Sequence, residues 1–137
     1  MGFIDRDDVV HSAKSYLGKK VYNWSEVKEK FSPDKIRIFV AIGYRKTNQI
    51  RQERYESIIN DGYTCVSYIS SRAVNMAANI GANCFILENN VLQPFVSVGN
   101  NVTLWSGNHI GHHSSIEDHS FITSHVVVSG KCNIGKN

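Results

Sequence analysis

Apolar residues recur with a period of six along the second half of the chain. From residue 74 to residue 134 every sixth position is a branched aliphatic, without interruption: Val74, Ile80, Ile86, Leu92, Val98, Leu104, Ile110, Ile116, Ile122, Val128 and Ile134. An α-helix repeats at about 3.6 residues and a strand at about two, so neither accounts for this period. The pattern predicts a solenoid, in which each repeat covers the apolar face of the one before it.

A second set of positions, four residues after each aliphatic, carries mostly compact side chains: Ala78, Cys84, Asn90, Val96, Val102, Asn108, Ser114, Ser120, Val126 and Cys132. Glycine directly follows the aliphatic in four repeats, at Gly81, Gly99, Gly111 and Gly135. Because glycine adopts positive φ angles without a steric cost, we expect these four residues to form tight corners between the repeats.

The first seventy residues carry the short, alternating signals of an α/β structure. Asn23 and Glu26 have the spacing of a helix capping box, which predicts a short helix. The nearly continuous apolar run 36–42 is typical of a buried parallel strand. Residues 50–59 fit an amphipathic helix, and residues 64–68 predict the next strand.

Charge is distributed unevenly along the 137 residues. The formal net charge is +3, from 15 Lys and Arg against 12 Asp and Glu, and this mild excess gives no support to nucleic-acid binding. Residues 1–73 hold 13 of the basic and 9 of the acidic residues, which leaves 2 and 3 for residues 74–137. Low charge in the repeats is expected where neighbouring subunits cover the sides of a solenoid.

Nothing at the start of the chain resembles a signal peptide, and no stretch reaches transmembrane length. The three cysteines are odd in number and far apart, which favours free thiols over a disulfide framework. These features predict a cytoplasmic protein.

The six-residue repeats resemble the hexapeptide-repeat family, whose fold is a left-handed parallel β-helix with eighteen residues in each coil. Three further stretches, GFIDRD, VAIG and TCVSYIS, resemble sialic-acid O-acetyltransferase-like and bacterial amino-sugar N-acetyltransferase proteins. This resemblance implies a partial Rossmann-like α/β domain over residues 1–70 and an incomplete left-handed β-helix over residues 71–137. Those relatives open with a strand and a Gly-rich turn and continue for several more coils, so we expect this chain to be a fragment or an incomplete gene product.

The resemblance also implies an activity, the transfer of an acyl group from acyl-CoA to an amino or hydroxyl group of a sugar. Acetyl-CoA is the expected donor, without a metal, and a nucleotide-linked sugar in surface glycan or polysaccharide synthesis is the expected acceptor. The expected assembly is a homotrimer.

Five of the six histidines lie within seventeen residues, at His109, His112, His113, His119 and His125. Acyl transfer needs a base for the attacking atom and a donor for the oxyanion, and histidine exchanges protons near neutral pH. The relatives carry their base in the pattern aliphatic–X–His–acidic, which makes His112 the candidate base here. The acidic position holds His113, so Glu117, Asp118 or a backbone carbonyl is left as the orienting group.

Eighteen residues after His112 is Gly130, which a coil of that length would stack directly above it. The resemblance implies that the Gly130 backbone amide holds the oxyanion, and the alternative role of this glycine is only to shape a corner. We predict that His113, Asn108, Trp105 and Asp5 bind substrate, although Trp105 would equally suit packing against a neighbouring subunit. His119 and His125 are expected to be solvated.

Two other functions stay open. One is a non-catalytic trimeric scaffold or binding module, in which the repeats only assemble. The other is a γ-type carbonic anhydrase, which needs two histidines five residues apart. No pair among the five clustered histidines has that separation, and His113, His119 and His125 fall on three successive sides of the coil. The sequence therefore favours a reaction without a metal.

Overall fold

The structure is a computed structural model, and it describes residues 2–4 and 15–137. The chain divides into two units, Met1–Ile36 and Arg37–Asn137. Within the described residues, no helix is long and apolar enough to cross a membrane.

Among its described residues, the first unit contains a small sheet and a short helix. Strand β1 (Phe3–Ile4) pairs in parallel with β3 (Lys19–Tyr22), and β2 (Ser15–Tyr16) pairs with β3 in the antiparallel direction. Helix α1 (Trp24–Lys30) begins at the predicted capping box. The Asn23 side chain accepts from the Glu26 N–H at 2.8 Å, and the Glu26 carboxylate accepts from the Asn23 N–H at 3.2 Å. These two bonds satisfy donors that a helix start otherwise leaves free.

The second unit begins with a parallel β–α–β arrangement. Strand β4 (Arg37–Ile38) pairs with β5 (Thr64–Cys65), and helix α2 (Gln49–Asn60) lies between them in sequence. The predicted helix is thus confirmed, whereas the strand predicted over residues 36–42 is shorter. The chain leaves the sheet after Ile38 because the Val40 N–H donates to the buried side-chain oxygen of Asn83, at 2.7 Å, and not to a strand.

Stacked coils of two-residue strands follow. They are β6 (Tyr68–Ile69), β7 (Val74–Asn75), β8 (Asn79–Ile80), β9 (Phe85–Ile86), β10 (Val91–Leu92), β11 (Ser97–Val98), β12 (Thr103–Leu104), β13 (His109–Ile110), β14 (Ser115–Ile116), β15 (Phe121–Ile122), β16 (Val127–Val128) and β17 (Asn133–Ile134). They form three parallel sheets, ordered β16-β13-β10-β7, β17-β14-β11-β8 and β15-β12-β9-β6. Every third strand therefore pairs, and three stacked sides fit a left-handed β-helix. The domain limits 1–70 and 71–137 stay a prediction; β6 already pairs with β9 before residue 71.

The register between successive coils is eighteen residues over most of this region. Leu92 pairs with Ile110, and Ile110 pairs with Val128. The aliphatic residues of the series from Ile86 to Val128 point inward and form one buried cluster together with Cys84, Val96 and Val102. This burial supplies the main stabilisation, since apolar area removed from water contributes about 25 cal/mol per Å².

The first aliphatic of the series does not follow this register. Val74 pairs with Val91, seventeen residues on, and not with Leu92. Its side chain is 51% exposed. The coil that contains Val74 is one residue shorter than the later coils. The regular eighteen-residue spacing of the aliphatic residues therefore begins at Ile80.

The corners of the coils are formed by residues other than the predicted glycines. Positive φ angles recur every six residues: Asn83, Asn89, Phe95, Asn101, Gly107, His113, His119, His125 and Lys131. The described glycines with positive φ are Gly18, Gly62 and Gly107, so the corner role expected for Gly81, Gly99, Gly111 and Gly135 is wrong.

Close approach of neighbouring coils explains three of these four glycines instead. A Cβ atom on Gly111 would lie 2.5 Å from the Gly130 nitrogen, and one on Gly81 would lie 2.6 Å from the Gly99 oxygen. Gly99 is similarly crowded, by the side chain and the backbone nitrogen of Asp118, whereas Gly135 has no atom within 4 Å of that position.

Candidate active site

His112 is held between two neighbouring coils by its own backbone. Its N–H donates to the side-chain oxygen of Gln93 at 2.9 Å, and its carbonyl accepts from the Lys131 N–H at 2.9 Å. Strand β13, which ends two residues before His112, pairs with β16, which ends two residues before Gly130. The coil therefore stacks His112 and Gly130 as predicted, while their catalytic roles stay a prediction.

The His112 imidazole occupies the space that a side chain at position 130 would need. A Cβ atom on Gly130 would lie 2.8 Å from Nε2 of His112 and 2.9 Å from Cε1. Only glycine leaves this space to the ring. Within residues 2–4 and 15–137, the Gly130 N–H has no hydrogen-bond acceptor. The His112 imidazole thus lies next to a residue whose backbone donor is free within those residues.

His113 is the ring partner of His112. Their Nδ1 atoms are 3.0 Å apart, and the two rings are nearly perpendicular, at 89°. His113 itself has a φ of 60°, and its ring packs against Phe95 of the preceding coil with centroids 4.7 Å apart. Both histidines are exposed to solvent.

The two carboxylates considered as orienting groups are bonded elsewhere. Asp118 accepts from the Asn100 N–H at 2.6 Å, and Glu117 accepts from the Asn133 side chain at 3.4 Å. In the described part of the chain, neither bonds to His112. The position beside the candidate base therefore belongs to His113.

Trp105 lines a separate cleft of about 240 Å³. The other lining residues are Phe39, Val40, Ala41, Ile42, Gly43, Tyr44, Arg51, Phe85, Thr103 and Phe121. Trp105 is 41% exposed, and its ring centroid lies 5.5 Å from that of Phe121. The role of Trp105 in binding substrate stays a prediction. The described residues that line the cleft do not include His112.

Asn108 and Asp5 are the other two residues predicted to bind substrate. Asn108 is 1% exposed, its side-chain oxygen accepts from the Val126 N–H at 2.8 Å, and its amide nitrogen donates to the Trp105 carbonyl at 2.6 Å. These bonds give the side chain a structural role inside the coil, and we leave it out of the site. Asp5 lies outside the described residues.

A buried polar network that sequence reasoning missed joins α2 to one column of corners. Arg51 is 2% exposed and donates to the Asn101 side chain at 2.8 Å, the Asn83 carbonyl at 3.0 Å and the Thr103 hydroxyl. Burial lowers the pKa of Arg51 from its ordinary value to about 10, so it is still cationic at neutral pH. In the sequence, Arg51 belongs to an ordinary basic run that also contains Arg54.

His119 completes this network, and the expectation that it is solvated is wrong. It is 6% exposed, and its Nδ1 lies 2.9 Å from the Asn101 amide nitrogen. The Asn101 oxygen already accepts from Arg51 and Asn83, so its NH₂ faces the ring, and Nδ1 of His119 must accept. Burial lowers the pKa of His119 and outweighs the nearby carboxylates of Asp118 and Glu56. His125 is exposed, as expected.

No group of three or more His, Cys, Asp and Glu side chains among the described residues is arranged to hold a metal ion. The three cysteines are free, with Cys65 and Cys84 buried and Cys132 partly so.

Comparison with known proteins supports the repeat assignment. Residues 77–112 match the family model described as bacterial transferase hexapeptide (six repeats), which confirms hexapeptide repeats in this part of the chain. A comparison with curated proteins gives no match.

Solved structures of acetyltransferases show the same fold. The acetyltransferase domain of PglB from Neisseria gonorrhoeae is 18% identical, with a TM-score of 0.58 over 99% of this chain and 78% of that one. The same domain in complex with acetyl coenzyme A is 18% identical, with a TM-score of 0.50 over 97% of this chain and 78% of that one. A variant of perosamine N-acetyltransferase from Caulobacter crescentus, in complex with CoA and GDP-perosamine, is 14% identical with a TM-score of 0.53 over 91% and 73%. At these identities the likeness establishes the fold.

Proposed function

We propose that this chain is an acyl-CoA-dependent acyltransferase that moves an acetyl group from acetyl-CoA to an amino or hydroxyl group of a sugar. The observation that carries the proposal is the contact between His112 and Gly130. Nε2 of His112 lies 2.8 Å from the position of a Cβ atom on Gly130, whose N–H has no acceptor in the described residues. A base and an oxyanion donor at one point are the two groups that acyl transfer requires.

The reaction needs no metal and no covalent enzyme intermediate. His112 takes the proton from the acceptor nitrogen or oxygen as this atom attacks the thioester carbonyl carbon. The negative charge that forms on the carbonyl oxygen is held by the Gly130 N–H. When the intermediate collapses, the carbon–sulfur bond breaks, and the His112 imidazolium returns its proton to the CoA thiolate.

The donor and the acceptor class are supported by the proteins of similar fold. One of them is in complex with acetyl coenzyme A, and another, a perosamine N-acetyltransferase, is in complex with CoA and GDP-perosamine. In the latter protein one histidine has been replaced by asparagine. For this chain we propose a nucleotide-linked sugar as the acceptor, in surface glycan or polysaccharide synthesis, and a cytoplasmic homotrimer as the active form.

The acceptor is proposed to bind near the cleft that Trp105 lines. Strands β4 and β5 are parallel and joined through α2, as in a Rossmann-like domain, which we propose in partial form for residues 1–70. The cleft residues 39–44 follow the carboxyl end of β4, and this is where open α/β sheets bind ligands. The aromatic rings of Trp105, Tyr44 and Phe121 suit stacking on a sugar or base.

Substitution of the base tests the proposal. The release of free thiol from acetyl-CoA is measured with a panel of amino and hydroxyl nucleotide sugars, for the native chain, for His112→Ala and for His125→Asn. His125 is the matched control because it is an exposed histidine of the next coil, and asparagine tolerates its φ of 60°. We expect His112→Ala to lower kcat by about 10²- to 10⁴-fold, the usual contribution of a general base.

The control is expected to stay within about twofold of the native rate, as surface changes usually do. Equal rates for His112→Ala and the native chain would refute the proposed mechanism. If acetyl-CoA neither binds nor turns over with any acceptor, the scaffold function is favoured instead.

A further inference from the structure

The pair formed by His112 and His113 raises the question of which ring carries the shared proton. The two Nδ1 atoms are 3.0 Å apart, and a hydrogen bond at that distance needs one protonated and one bare nitrogen. If His113 donates, then neutral His112 carries its proton on Nε2 and presents an N–H to the space beside Gly130. If His112 donates, its Nε2 presents a lone pair there.

We propose that His113 is the positioning residue for His112. Its Nδ1 accepts a hydrogen bond from the Nδ1–H of His112, so that Nε2 of His112 is the basic nitrogen. The proposal rests on the proposed function, because only a base at Nε2 requires this direction of the bond. It assigns to a neutral imidazole the orienting role for which the sequence left Glu117, Asp118 or a carbonyl, and both carboxylates are bonded elsewhere. His113 then acts through His112.

The surroundings of His113 hold its ring in place for this role. Its backbone is in the left-handed region, with a φ of 60°, and its N–H donates to the Pro94 carbonyl at 3.2 Å. The Phe95 ring covers one side of the imidazole, with 33° between the two planes. Glycine at position 130 leaves space for the His112 ring, because a Cβ atom there would lie 2.8 Å from its Nε2. His113 is therefore held by its own contacts, and it orients the His112 ring through the bond between the two Nδ1 atoms.

The bond also strengthens at the step where it is needed. When His112 takes a proton at Nε2 it becomes an imidazolium, and the bond from its Nδ1–H to His113 becomes charge-assisted. Such bonds are about twice as strong as neutral ones. The pair therefore stabilises the protonated base more than the resting one, and this difference accelerates the reaction.

A spectroscopic test addresses the proton directly and does not depend on turnover. Long-range ¹H–¹⁵N spectra of the ¹⁵N-labelled protein are recorded at about pH 8.5, two units above the ordinary pKa of histidine, where free imidazoles are neutral. The His112 signals are assigned by their loss in His112→Gln. We expect a protonated Nδ1 and a bare Nε2. A His112 ring with its proton on Nε2 would overturn the inference.

Two substitutions at position 113 provide the kinetic test, and both tolerate its positive φ. His113→Gly removes the acceptor and is expected to lower kcat about 10- to 100-fold, the size of one charged hydrogen bond, with KM for acetyl-CoA within about twofold. His113→Asp supplies a carboxylate acceptor and is expected to restore kcat to within about tenfold of the native value. His125→Gly, at another exposed corner with φ 60°, is the matched control.

The outcomes separate this inference from the proposed function. A higher KM with an unchanged kcat in His113→Gly would make His113 a substrate contact and overturn the positioning role. Full activity of His112→Ala would refute the proposed base, while the spectra would still report which ring carries the proton.

Discussion

Replacing Arg51 by methionine should detach α2 from the coils without unfolding the coils themselves. The guanidinium makes three buried hydrogen bonds, to Asn101, Thr103 and Asn83, and methionine keeps most of the side-chain volume. Two opposing effects decide the size of the change, the loss of these bonds and the removal of a buried charge.

The two effects do not cancel. Hydrogen bonds to a charged group contribute roughly 1.5–3 kcal/mol each, so the three contribute about 5–9 kcal/mol. The pKa of Arg51 falls from 12.5 to about 10, and at about 1.4 kcal/mol per unit the burial of the charge costs about 3 kcal/mol. The variant should therefore lose about 2–6 kcal/mol of the free energy that holds α2 in place.

Amide hydrogen exchange measures this opening locally. We expect the protected amides of α2 to exchange at least about 20-fold faster in Arg51→Met than in the native chain, since about 1.4 kcal/mol corresponds to tenfold. The amides of β12 and β13 should change far less. Arg54→Met is the control, because Arg54 lies in the same helix with an exposed side chain. Equal exchange in the two variants would refute the role given to the buried guanidinium.

Three further changes test other contacts. Gly111→Ala places a Cβ 2.5 Å from the Gly130 nitrogen, so we expect the free energy of unfolding in urea to fall by about 1–3 kcal/mol. Gly135→Ala, with no atom within 4 Å, should be nearly neutral. Equal losses in the two variants would contradict the close-approach explanation. Leu104→Ala removes a fully buried side chain and should cost about 2–5 kcal/mol by the same measurement, while Val127→Ala, at 74% exposed, should cost far less. Because burial lowers the pKa of His119 in the folded chain, the unfolded chain binds more protons below about pH 6.5, so stability should fall on acidification by at most about 1.4 kcal/mol per pH unit from this group. Thermal melts of His119→Asn and of the native chain at about pH 5 and 7 check this. The expectation would be contradicted if both proteins lost the same stability between these two pH values.

Local periodicity predicted the coils because the inward positions depend on one repeating constraint. Ile86, Leu104 and Ile122 stack at eighteen-residue intervals, so each aliphatic is placed by its neighbours above and below. The same reasoning put His112 beneath Gly130. It failed for Val74, because the length of the first coil depends on how the chain enters the solenoid and not on the repeat.

Other features depend on contacts that no local pattern records. Arg51 and Arg54 lie three residues apart in one helix, yet one is buried and the other exposed, because only one faces the corner column of Asn83, Asn101 and His119. His119 was expected in solvent for the same reason. The contact between His112 and His113 also depends on side-chain orientation at a corner, which the sequence alone does not determine.

The fixed register of the coils also limits how this protein can change in length during evolution. Loss of one residue between Ile110 and Val128 would shift every later inward position and move Gly130 away from His112. A loop inserted at a corner, for example at the corner that His125 forms, would keep the strand pairs Ile110↔Val128 and Ser115↔Asn133. Natural variants should therefore gain or lose segments at corners, or whole turns of eighteen residues, and seldom single residues within a side.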